Sequence, residues 1–142
     1  MEQFISTIKY EVVIGLETEE SLNSSFADRS ARYFKVASNI RTKWQEYAKE
    51  FFDKYGTYVS AICSDGNAIY HEDWGCPKGG ESVVTFHCTI NPEFVKDYGL
   101  YEKGVLYITK NLKKEFEQHT ITITKIPSKI CYLTDKNDEE DK

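Results

Sequence analysis

The sequence predicts a small α+β domain of the ferredoxin-like type, with the order β-α-β-β-α-β, an antiparallel sheet and both helices on one face. Three observations predict it: segments in which apolar and polar residues alternate, two segments with apolar residues every three or four positions, and one Gly-rich loop between the middle strands. At 142 residues the chain fits a single domain over 1–134. We expect the acidic tail at 135–142 to be disordered.

The first half of the chain predicts a strand, a loop and a long helix. Alternation over 4–16 is typical of a strand buried on one side. The polar stretch 17–28 reads as a loop, and the aromatic stripe over 39–55 predicts a core-facing helix that could extend back through 29–37. Trp44 lies in the middle of that stripe.

The second half predicts three more strands and a helix. A strand over 57–63 enters Asp65-Gly66, a dipeptide that favours a tight hairpin turn because glycine tolerates positive φ. The remaining elements are a short returning strand at 68–71, a strand at 81–90, a helix at 104–118, a strand at 119–126 that Pro127 should end, and an edge strand that could form at 129–134.

Charge and hydropathy exclude two classes of protein. The net charge is −5, whereas a phosphate-backbone binder normally carries a basic stripe, so we expect no nucleic-acid partner. The apolar runs are far shorter than the roughly 20 residues that cross a bilayer, and the N-terminus lacks the pattern of a secretion signal. The sequence therefore predicts a cytoplasmic protein without a membrane partner.

The cysteines predict free thiols and no metal site. Without a secretion signal, the even cysteine count favours reduced thiols over disulfides. The spacing of His71, Cys76, His87 and Cys88 matches no zinc pattern, and adjacent strand residues point to opposite faces. We predict neither a metal nor a cofactor. The free thiols are Cys63, Cys76, Cys88 and Cys131.

The segment 71–81 is the candidate ligand site. Consecutive glycines allow close backbone approach to a ligand, a tryptophan can stack on a planar ring, and a lysine attracts an anion. The alternative is structural: a bulged hairpin loop whose Trp74 plugs the core edge. The predicted ligand-binding residues are His71, Asp73, Trp74, Gly75, Cys76, Lys78, Gly79, Gly80, Glu81 and His87.

These observations predict a non-enzymatic binding module for a small anionic or nucleotide-like ligand, because no nucleotide-binding or hydrolase motif is present. One alternative is a small hydrolase or transferase that uses the 71–81 loop, for example with Cys76 as nucleophile. Another is a protein inhibitor that acts through the open, threonine-rich sheet face. That face or the edge strands should also support a homo-oligomer, most simply a dimer. In general appearance the chain resembles small phage or bacterial accessory proteins.

Overall fold

The computed structural model describes residues 3–135, and within them four strands form one antiparallel sheet with the order β2-β3-β1-β4. The predicted acidic tail lies, apart from Asp135, outside the described residues. The elements are β1 (Ile5–Gly15), α1 (Glu19–Leu22), α2 (Phe26–Tyr55), β2 (Ile62–Ala68), a short 3-10 helix (Glu72–Trp74), β3 (Glu81–Thr89), α3 (Tyr98–Glu115) and β4 (Ile121–Ile130).

The long helices begin and end at residues suited to those positions. Ser25 caps α2 by accepting a hydrogen bond from the Asp28 N–H, and Gly56 ends it with a φ of +76°. Asp97 caps α3 in the same way, by accepting from the Leu100 N–H at 3.0 Å. The helix α2 begins at Phe26, before the extension over 29–37 that the sequence predicted.

One hydrophobic core holds both long helices against the same face of the sheet. Trp44 stacks on Phe86 with ring centroids 4.2 Å apart, and its indole N–H donates to the Val59 carbonyl at 3.1 Å. Inward residues of β1 and β3, and of both long helices, belong to the same buried cluster. Phe51, in the aromatic stripe of α2, is buried, and Phe116 is partly buried against the same core. The predicted ferredoxin-like α+β fold is confirmed.

Several local predictions are wrong. The returning strand expected at 68–71 is absent, and the loop expected at 17–28 contains α1 and the start of α2. Asp65-Gly66 makes no turn: β2 runs straight through it, Gly66 pairs with Val83, and the connection to β3 lies after Ala68. Pro127 does not end a strand either. It pairs with Ile8 in β4, an edge strand, where a residue without an N–H is tolerated.

The opposite face of the sheet is left open by the two long helices. Side chains of β1 and β3 that point away from the core meet there in register, as Glu11 opposite His87 and Val13 opposite Thr85. β2 adds Ile62 opposite His87. We call this surface the open face. None of the helices within residues 3–135 has the length and apolar character needed to span a bilayer.

Candidate functional site

A cleft of about 540 Å³ lies where the start of α2, the end of β2 and the loop before β3 meet. It combines aromatic side chains, opposite charges and a glycine-lined edge, as small-molecule sites do. Its lining residues are Glu17, Phe26, Arg29, Ser30, Tyr33, Phe34, Asp65, Gly66, Asn67, Lys78, Gly79, Gly80 and Ser82.

The base of the cleft is a buried ion pair. Arg29 donates two hydrogen bonds to Glu17, at 2.6 Å from Nε and 2.8 Å from Nη2, and the Ser82 N–H donates to the same carboxylate at 2.9 Å. The bonds from Arg29 lower the pKa of Glu17 more than its burial raises it. Both groups therefore stay charged near neutral pH and neutralise each other.

One wall is aromatic and strongly exposed. Phe26 and Phe34 lie on α2 with 82% and 73% of their surfaces accessible, whereas Ile40, Trp44 and Phe51 of the same helix are buried. Tyr33 lies between them in the sequence, and burial together with a hydrogen bond to Asp65 raises its pKa. The phenol thus remains protonated, and the wall offers ring faces on which a planar ligand could stack.

The other walls carry one charge of each sign. Asp65 extends from β2, lies 3.8 Å from Arg41 and keeps about half its side chain in solvent. Lys78 lines the opposite side and forms no ion pair with any residue between 3 and 135. A ligand with both a cationic and an anionic group would therefore find a partner for each.

Gly79 and Gly80 form the edge of the cleft beside Lys78. Both have positive φ, +87° and +92°. A Cβ on Gly80 would lie 2.8 Å from the Ala68 carbonyl oxygen, whereas one on Gly79 would meet nothing within 4 Å. Gly80 is therefore required by its surroundings, and it lets the loop pack against the end of β2.

The structure brings three of the ten predicted ligand-binding residues into this cleft, namely Lys78, Gly79 and Gly80. The other loop residues have local roles. His71 caps the 3-10 helix by accepting from the Asp73 N–H, Gly75 ends it, and the Cys76 thiol is buried and donates to the Pro77 carbonyl.

Trp74 and Glu81 do not line the cleft. Trp74 is 80% exposed, so the alternative that it plugs the core edge is wrong. Glu81 is half-buried beside Tyr70. His87, the last predicted residue, lies on the open face, where it contacts Ser64 and Glu11.

Sequence reasoning missed the residues that come from α2 and β2. Glu17 and Phe26 fell in a predicted loop, and Asp65 in a predicted turn. The sequence held no signal for Phe26 and Phe34, because a large apolar residue near the start of a helix is equally consistent with a core position; the structure shows both exposed. Within residues 3–135, no group of three or more His, Cys, Asp or Glu side chains is placed to hold a metal ion.

Comparisons with known proteins give one family and several structural neighbours. The family model described as SAM lyase matches residues 5–134. A search of curated proteins finds no match. Among solved structures, a phage SAM lyase in the apo state has a TM-score of 0.50 at 9% identity, covering 92% of this chain and 91% of that one.

Two further structures are less similar. A phage SAM lyase in complex with S-methyl-5'-thioadenosine has a TM-score of 0.47 at 11% identity, covering 90% of both chains. The apo form of CPII from Thiomonas intermedia K12, a nitrogen regulatory PII-like protein, has a TM-score of 0.38 at 11% identity, covering 94% of this chain and all of that one.

The family match corrects one prediction. The expected non-enzymatic binding module is wrong, because the family whose model covers nearly the whole chain is a family of enzymes. The prediction rested on the lack of familiar catalytic motifs, yet a substrate that already carries a good leaving group needs little beyond correct positioning.

Proposed function

We propose that this chain, which belongs to the SAM lyase family, cleaves S-adenosylmethionine (SAM) in the cleft described above. The observation that carries the proposal is the family match over residues 5–134, a range that includes every residue lining the cleft.

The chemistry of SAM suits a cleft with few catalytic groups. Its sulfonium is a good leaving group, and a lyase breaks a bond without adding water. Two routes break the bond between sulfur and the methionine Cγ in this way. The carboxylate of the same molecule displaces the sulfur and closes a five-membered lactone, or a base removes a Cβ proton and leaves vinylglycine. Both release S-methyl-5'-thioadenosine.

The cleft offers a partner for each part of this substrate. Its volume lies within the roughly 300–1,000 Å³ typical of small-molecule sites. We assign the adenine to the ring faces of Phe26 and Phe34, and the carboxylate to Lys78. Asp65 faces the sulfonium or the amino group. Holding both ends of the substrate in the cleft favours the folded shape in which the reacting atoms approach each other.

The test is the release of S-methyl-5'-thioadenosine from SAM by the purified protein, measured by liquid chromatography and mass spectrometry. Lys78→Ala and Asp65→Asn should each lower kcat/KM by about 10- to 100-fold, the effect of losing one hydrogen bond to a charged group. Lys110→Ala, on the exposed side of α3, is the matched control and should change nothing.

Two results would refute this assignment: product formation no faster than the spontaneous breakdown of SAM in buffer, or full activity in both cleft variants. The second product, a lactone or vinylglycine, identifies the route. Because SAM is made inside cells, we also propose a cytoplasmic location.

We further propose that the protein self-associates through the rim of the cleft, most simply as a dimer. Phe26, Phe34 and Ile69 are among its most exposed apolar residues, and all three lie at this rim. Exposed apolar clusters of this kind mark interfaces. Phe34→Glu should lower the molar mass measured by light scattering, whereas Phe94→Glu, equally exposed elsewhere, should not. A monomer at high protein concentration would contradict the proposal.

A further inference from the structure

Three polar side chains on the open face are arranged as a nucleophile, a base and an orienting acid. The Ser64 hydroxyl lies 3.1 Å from His87 Nε2, and His87 Nδ1 lies 3.6 Å from a Glu11 carboxylate oxygen. When the ring proton is on Nδ1, that nitrogen is a donor that faces Glu11, and Nε2 is an acceptor that faces the Ser64 hydroxyl. We infer that Ser64, His87 and Glu11 form a nucleophilic triad that acts on small activated esters.

The sheet itself sets this geometry. Glu11 of β1 and His87 of β3 are direct cross-strand partners, and Ser64 of β2 pairs with Thr85, two residues along from His87. Residues two apart on a strand share a face, so all three side chains project from the open face. Asp65, the next residue after Ser64, projects to the side of the cleft. The triad is therefore separate from the proposed SAM site.

A depression of about 400 Å³ lies beside His87 and gives an ester a place to bind. Ala61 and Ile62 supply apolar surface that suits a short acyl chain. Lys9 also lines this depression, where its ammonium group is paired with Glu11 at 3.2 Å. Ser64 lies two residues from Ile62 on β2 and shares its face, so an ester seated on Ile62 lies beside the hydroxyl. We therefore expect a short-chain acyl ester with a good leaving group.

The proposed reaction uses only the ester and water. The Ser64 oxygen attacks the carbonyl carbon while its proton passes to His87 Nε2, and the alcohol leaves with that proton. Water then attacks the acyl-serine, gives a proton to His87 and releases the acid, after which the serine regains its proton. Glu11 holds the imidazole in the required tautomer and stabilises its charged form.

A fluorophosphonate probe tests the nucleophile directly. The Ser64 oxygen forms a bond to phosphorus, fluoride leaves, and the hydroxyl proton passes through His87 to solvent. Peptide mass spectrometry should find the adduct on Ser64 in the intact protein, and Ser64→Ala should abolish it. His87→Gln should slow the labelling by about 100-fold or more, the usual size of general-base assistance. Glu11→Gln should slow it less.

Control variants distinguish a Ser64 hydroxyl activated by His87 from one that is labelled only because it is exposed. Ser38→Ala, on an exposed serine of α2, should leave the labelling of Ser64 unchanged. Hydrolysis of p-nitrophenyl acetate should fall in Ser64→Ala and His87→Gln but persist in His71→Gln, because His71 is the more exposed imidazole. If His87→Gln lowers the melting temperature, His87→Asn provides the second measurement. No adduct on Ser64, or labelling that is independent of His87, would overturn the inference whatever the outcome of the SAM assay.

Discussion

The ion pair between Glu17 and Arg29 should contribute strongly to stability, because little of either side chain reaches solvent. Only 6% of the Glu17 side chain and 20% of the Arg29 side chain reach solvent. Replacing Arg29 by Met keeps the aliphatic bulk and leaves a buried carboxylate without its counter-ion. The Ser82 N–H remains as its single hydrogen-bond donor.

The expected loss follows from simple electrostatics. Two unit charges about 4 Å apart attract by about 4 kcal/mol at the effective dielectric constant typical of protein sites near the surface. Partial exposure of Arg29 weakens this, and breaking a buried pair by removing one partner costs about 3–5 kcal/mol. We therefore expect a loss of about 3 kcal/mol for Arg29→Met, or about 10 °C in melting temperature for a chain of this length.

The pH dependence provides an independent check. The pKa of Glu17 is lowered in the folded protein, so its stabilising contribution is complete above its unfolded pKa of about 4.3 and is lost as the pH falls through the folded value. In Arg29→Met the largest cause of that lowering is gone, while the Ser82 N–H and the charge of Arg32 remain. The stability difference between the two proteins should therefore be constant from pH 7 down to the unfolded pKa of about 4.3 and shrink as the pH falls further.

Urea denaturation of four proteins measures the effect: the parent, Glu17→Gln, Arg29→Met and the double variant. The two single changes should be non-additive, because each removes the same interaction. Lys49→Met, which breaks an exposed ion pair with Asp53, is the matched control and should change stability little. Additive single changes, or an Arg29→Met protein within 1 kcal/mol of the parent, would refute the reasoning.

Three further predictions concern local features. Gly80→Ala should lose about 1–3 kcal/mol more stability in urea than Gly79→Ala, because only Gly80 has a carbonyl where the methyl would go; equal losses would contradict this. Trp74→Ala should keep the melting temperature within about 2 °C, since the side chain is exposed; a large drop would be evidence of core contact. Burial raises the pKa of the Cys88 thiol to about 12, so iodoacetamide at pH 8 should spare it in the folded protein and modify it after unfolding.

The sequence predicted the fold because the core-facing residues repeat at the period of each element. Val12 and Ile14 alternate with polar neighbours in β1, and both are fully buried. Trp44 and Phe51 mark the stripe of α2 in the same way. Such patterns are local, and burying each apolar face against the others leaves few arrangements for this order of elements.

The failures have equally specific causes. Asp65-Gly66 favours a tight turn in isolation, but here pairing with β3 supplies more hydrogen bonds than a two-residue turn would. Pro127 was taken as a strand end because the sequence does not say which strands lie at the sheet edge. Both outcomes depend on neighbours that are distant in the chain.

The cleft was predicted only in part for the same reason. Lys78, Gly79 and Gly80 stand together in one conspicuous loop, so the sequence indicates them. Glu17 and Phe26 come from segments more than 50 residues away, and only folding places them opposite that loop. Because these segments lie far apart in the sequence, no short sequence motif identifies the site.

The substrate explains why a binding module was the natural, and incorrect, inference. Enzymes that must create a nucleophile or a leaving group need convergent catalytic side chains, and these often leave recognisable spacings. In the lactone route proposed above, SAM would carry its leaving group as a sulfonium and its nucleophile as its own carboxylate. Under that proposal, binding in a bent shape beside Asp65 and Lys78 would supply much of the rate enhancement, since a correctly oriented intramolecular reaction gains orders of magnitude in effective concentration. The features that predict a ligand site in this chain are then the same features that catalysis requires.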